Sequence, residues 1–163
     1  MGYKQIRALK QIKGTQKLFN YACYWLDRYP CSVLKLKERL LKKCSSEEII
    51  DEVISRLKEL DYLNDKKLAS NVISTYLKKG YGKNRINTKL YEKKIFDKEI
   101  LKSAWEEFSP EDENEKIMEV IEKRVDRYDI KEAKGKKALI VYLFQRGFEY
   151  DCIMEALRKK KIL

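Results

Sequence analysis

The sequence predicts an all-α protein made of three tandem three-helix repeats. Three observations predict it. Apolar residues recur every three or four positions, and no strand-like alternation runs longer than four residues. Only 6 Gly and 2 Pro occur in 163 residues, too few for an all-β fold with a tight turn every ten residues or so. A degenerate motif also repeats, in which an apolar anchor is followed by Ile ten positions later: Leu40 to Ile50, Leu90 to Ile100, Leu143 to Ile153. The anchors lie 50 and 53 residues apart, the mark of a stacked helical array.

The expected organisation is a basic segment over 1–15, repeats over 16–63 and 64–108, a linker over 109–113 and a third repeat over 114–163. Pro30 and Pro110 sit in gaps between apolar stripes, where a break costs little. Over 46–60, Ile49, Ile50, Val53, Ile54, Leu57 and Leu60 share one helical face, with Ser45 and Glu48 as a capping box. Over 65–79 the stripe is Leu68, Ala69, Val72, Ile73, Tyr76 and Leu77. Asn64 or Asp65 caps its start and Gly80 its end. Ile117, Val120, Ile121, Val125 and Tyr128 predict a helix over 116–128, and Gly147 ends the helix carrying Leu139, Leu143 and Phe144. Trp25 and Trp105 fall in apolar stripes and are expected to pack.

Charge narrows the function. The chain carries 37 Lys+Arg against 26 Asp+Glu, net +11, which favours a polyanionic partner. The charge comes in blocks: +9 over 1–44, −5 over 45–65, +8 over 66–98, −7 over 99–122 and +6 over 123–163. The absence of His removes the commonest general acid/base, the usual catalytic triads and most zinc sites, so an enzyme is not expected. Cys23, Cys31, Cys44 and Cys152 match neither a zinc pattern nor a dense disulfide framework and read as free thiols in a reducing cytosol. No apolar run approaches the roughly 20 residues of a membrane span. The expectation is a cytoplasmic monomer without metal or cofactor.

The strongest basic constellation is Lys78, Lys79, Lys83, Arg85, Lys89, Lys93 and Lys94, entered through Gly80-Tyr81-Gly82. A basic helix behind such a turn offers ammonium groups to phosphates and a Tyr ring for stacking. The competing reading is that the glycines set a helix corner, Tyr81 covers the core and the lysines are solvated. Arg39, Lys42 and Lys43 in the first repeat, and Lys136, Lys137 and Arg146 in the third, occupy comparable second-helix positions. Aligned, they would form one cationic stripe. Glu106, Glu107 and Glu111–Glu113 read as solvated acids rather than metal ligands. A helix-turn-helix-like unit binding DNA directly is the alternative function.

The stretches LKELDYLNDKKLA (Leu57–Ala69) and LKKGYGKNRINTKL (Leu77–Leu90) resemble the signature of the RecX family, small regulators of the RecA recombinase. LFQRGFEYDCIMEAL (Leu143–Leu157) and Leu26–Ile50 resemble its final and first repeats. Asp61, Cys44 and Lys94 stand where the family often has Gly, and Asn64 replaces an Asp. At these helix ends a left-handed conformation would cost a non-Gly residue about 1 kcal/mol. The resemblance implies three three-helix bundles in an elongated, curved arrangement. It also implies binding to RecA, lodging in the RecA–DNA filament groove, and suppression of ATP hydrolysis, strand exchange and co-protease activity. Single- or double-stranded DNA is a further expected partner.

Overall fold

Side-chain caps and apolar stripes divide the chain into helices. The computed structural model describes the backbone of residues 2–163 and the side chains of 14–109 and 113–163. Among the described residues there are nine α-helices, one 3₁₀ turn and no strand. The helices are α1 (Gly2–Arg28), α2 (Val33–Leu41), α3 (Glu47–Glu59), α4 (Asp65–Lys78), α5 (Lys83–Glu92), α6 (Lys98–Trp105), α7 (Pro110–Glu122), α8 (Ala133–Gln145) and α9 (Tyr150–Lys159), with the 3₁₀ turn at Val125–Arg127. They follow the expected three-helix repeat.

The helix ends correct several expectations. Ser46, not Ser45, caps α3, its hydroxyl accepting from the Ile49 N–H at 3.4 Å. Asn64 caps α4 through the Lys67 N–H at 3.0 Å. The neighbouring Asp65 instead accepts from the Val33 N–H at 2.9 Å. The expected linker over 109–113 carries the first turn of α7, since Pro110 is already helical. Proline suits that first position because its missing N–H has no helical partner there. The helix expected over 116–128 stops at Glu122, and Val125 and Tyr128 reach the same core from the 3₁₀ turn. Of the basic segment expected over 1–15, residues 2–15 belong to α1, while its side chains through Lys13 lie outside the described residues. Gly80 and Gly147 take the positive φ expected of them, at 73° and 91°. Asp61 and Lys94 do so as non-glycines, at 58° and 62°, whereas Cys44 does not.

The helices gather into two compact bodies. The first comprises Met1–Leu68 with Lys93–Ile95. Leu18, Phe19, Ala22 and Leu26 of α1 pack there on Leu36 and Leu40 of α2 and on Ile50, Val53, Ile54 and Leu57 of α3. Each such Leu or Ile contributes about 1.5–3 kcal/mol on burial. The fully buried Ser32 hydroxyl is matched twice, donating to the Lys93 carbonyl at 2.7 Å and accepting from the Lys35 N–H at 3.3 Å. The second body comprises Ala69–Glu92 with Phe96–Leu163. Its core joins Ile117, Val120 and Ile121 of α7, Leu139 and Leu143 of α8, Phe148, and Ile153, Ala156 and Leu157 of α9. In contrast, α6 buries a single residue, Ala104.

Candidate functional site

The Gly80–Arg85 turn is where the second and third repeats meet within the second body. The Gly82 N–H donates to the Arg146 carbonyl and the Asn84 N–H to the Gly147 carbonyl, each at 3.0 Å. A β-carbon on Gly82 would stand 2.4 Å from the Phe148 nitrogen, and one on Gly147 would stand 2.4 Å from the Arg85 backbone nitrogen. Two backbones therefore touch where only hydrogen fits. Arg146 closes the contact. Its guanidinium donates to the Lys79 carbonyl at 3.0 Å and to the Tyr142 hydroxyl at 3.1 Å. It also lies 4.7 Å from the centre of the Tyr81 ring. Tyr81 in turn packs at 5.6 Å on Tyr76. Tyr81 and Arg146, singled out in the sequence for binding, are thus occupied within the chain.

The cationic constellation is divided. Lys79, Lys83, Arg85 and Lys89 are in the second body, while Lys93 and Lys94 are in the first, Lys94 ion-paired with Glu38. Lys89 pairs with Glu92 at 2.6 Å along α5. Lys42, Lys43, Lys79, Lys83, Arg85, Lys93, Lys136 and Lys137 form no ion pair among the described residues. Of these, Lys93 and Lys136 are half-buried and the rest are exposed. All but Lys79, which directly follows α4, stand on or just beside a second helix, α2, α5 or α8.

One cavity adjoins Lys83 within the second body. It has a volume of about 540 Å³ and is walled by Leu77, Tyr91, Leu101, Trp105 and Phe108, with Lys83 and Glu113 among its polar lining. Trp105, expected as a packing residue, is half-buried, and its indole N–H donates to Asn87 at 2.9 Å. The Lys83 ammonium lies 5.8 Å from the centre of its ring. Glu113 is no solvated acid: it accepts from the Lys83 N–H at 2.8 Å, and burial pushes its carboxyl above the usual range. Glu111 and Asp112 lie outside the described side chains. Among the described residues no group of Cys, Asp and Glu could hold a metal ion, and no helix is long and apolar enough to cross a membrane. The four cysteines are unpaired, and burial pushes the Cys31 thiol up.

A second cationic region, in which Trp25 is the expected packing residue and Arg39 an expected member of the cationic stripe, lies in the first body. Tyr21 and Trp25 stand four residues apart on α1, and Tyr29 follows four further on, just past its end. Arg39 of α2 lies 3.9 Å above the Trp25 ring and donates to the Tyr21 hydroxyl at 2.9 Å.

Comparison with known proteins decides the family. Over 139 residues the chain is 32% identical to the regulatory protein RecX of Caldanaerobacter subterraneus subsp. tengcongensis, covering 85% of this chain and 68% of that one. The chain belongs to the RecX family. Over 151 residues it is 35% identical to the RecX regulatory protein of Clostridioides difficile, covering 91% of this chain and 68% of the relative. Residues 111–157 match the family's third three-helix domain. The crystal structure of RecX from Lactobacillus salivarius superposes with a TM-score of 0.82 at 23% identity, covering 93% of this chain and 99% of that one. Another RecX regulatory protein structure superposes at 0.80 with 18% identity, covering 96% of this chain and 79% of that one. These structures agree in fold.

Proposed function

We propose that this chain is a non-enzymatic, cytoplasmic regulator of the RecA recombinase that binds RecA and the RecA–DNA filament. There it inhibits ATP hydrolysis, strand exchange and co-protease activity. The observation that carries this reading is family membership, since the relatives are named as regulatory proteins. The unpaired cations beside α2, α5 and α8 supply the matching chemistry. A nucleoprotein filament presents phosphates at regular intervals, and each phosphate–lysine contact releases counterions. Lys42, Lys43, Lys79, Lys83, Arg85, Lys93, Lys136 and Lys137 are the residues assigned to it, with Lys89 joining once freed from Glu92. Tyr81 and Arg146 act through the junction they hold.

Titrating the chain into the cognate recombinase on single-stranded DNA should lower its ATPase steadily. Replacing Lys83 and Arg85 together with Glu should weaken inhibition at least tenfold and reduce the salt slope by roughly two, with helicity unchanged. An ATPase untouched at stoichiometric excess contradicts the reading. Tight sequence-selective binding to naked duplex without recombinase would instead favour the direct DNA-binding alternative.

A further inference from the structure

The first body carries a ladder of alternating rings and cations of which the reading above uses only Lys43. Tyr21 and Trp25 share one face of α1 because four residues make about one turn, and Tyr29, just past the end of α1, continues that turn by donating its N–H to the Trp25 carbonyl at 2.8 Å. Trp25 and Tyr29 rings lie 4.5 Å apart. Arg39 covers Trp25 at 3.9 Å and Lys43 approaches the Tyr21 ring at 5.8 Å. One step around the helix, Arg28 lies 4.2 Å above Tyr24. Trp25 is held in place by Arg39 and by packing against the first body's core. By contrast, Tyr24 and Tyr29 each keep 56% of their surface open. Among the described residues Arg28, Arg39 and Lys43 have no carboxylate partner.

We propose that this face is a binding platform for single-stranded nucleic acid, with bases stacking on Tyr24 and Tyr29 and phosphates held by Arg28, Arg39 and Lys43. Two features select this ligand. Cations that form no ion pair complement a polyanion. Open rings, one of them backed by Trp25, add stacking, which a single strand with unpaired bases can use and a paired duplex cannot. An acidic protein surface would use the charges and leave the rings idle. The platform goes beyond filament regulation, because it binds the strand without the recombinase.

The test is fluorescence anisotropy of a labelled oligothymidylate of about 15 nucleotides with the full chain and no recombinase. Binding should be saturable and should quench tryptophan fluorescence as bases reach the ring beside Trp25. Each of Tyr24→Ala and Tyr29→Ala should weaken it roughly tenfold, and Arg28→Glu by at least as much. Circular dichroism identifies any variant that fails to fold, and Arg28→Glu, an exposed surface change, then carries the test. Duplex of the same length should compete poorly. Equal affinity for duplex, or full binding by the folded tyrosine and arginine variants, overturns the proposal. So does an absence of binding. ATPase inhibition of the recombinase is read separately, so the platform can fail while filament regulation stands.

Discussion

Two cation–aromatic regions of the molecule use the same chemistry to opposite ends. In the second body Arg146 and Tyr81 face each other across a repeat junction, and the guanidinium is held by the Lys79 carbonyl and Tyr142. In the first body Arg39 and Trp25 stack as closely, yet the neighbouring Tyr24 and Tyr29 stay open to solvent. The conspicuous sequence motif, Gly-Tyr-Gly followed by Arg, marks the closed region. The open one carries no motif, only aromatic residues four apart. A recurring pattern in a repeat protein can therefore record how repeats pack on one another rather than where a partner binds.

The largest expected effect is at the junction. Gly82→Ala places a β-carbon 2.4–2.5 Å from backbone atoms of Gly147 and Phe148, which cannot rotate away. It should cost about 3 kcal/mol, measured as a shift in the urea midpoint. Next come the two arginines. Arg146→Ala should cost about 2 kcal/mol by removing a charged hydrogen bond and a ring contact, and leave oligothymidylate affinity unchanged. Arg39→Ala should cost about 1 kcal/mol and weaken that affinity severalfold. Equal effects of the two on both readouts would erase the distinction between the regions. The smallest effect has the opposite sign. At Gly14 on α1 nothing lies within 4 Å of an added β-carbon, so Gly14→Ala should stabilise by about 0.5–1 kcal/mol.

Much of the fold was legible because apolar periodicity reports the buried face directly. Ile50, Val53, Ile54 and Leu57 of α3, and Ala69, Val72, Ile73 and Leu77 of α4, are the buried residues their stripes predict. Periodicity was silent where a helix begins without an apolar stripe, so the start of α7 at Pro110 read as a linker. It also ran past the end of α7, because Val125 and Tyr128 reach the same core from a 3₁₀ turn. The cationic residues were legible as types and not as partners. Only coordinates separate Lys89, drawn to Glu92 on its own helix, from Lys83, whose side chain stands near Trp105. Trp105 itself looked like core because sequence spacing cannot distinguish a filled interior from a cavity wall.

Co-sedimentation with preformed RecA–single-stranded DNA filaments tests the central claim most directly. The predicted result is near-stoichiometric pelleting of the chain with filaments, weakened by raising salt and by Lys83→Glu with Arg85→Glu. A chain that stays in the supernatant with saturating filaments at low salt would contradict it.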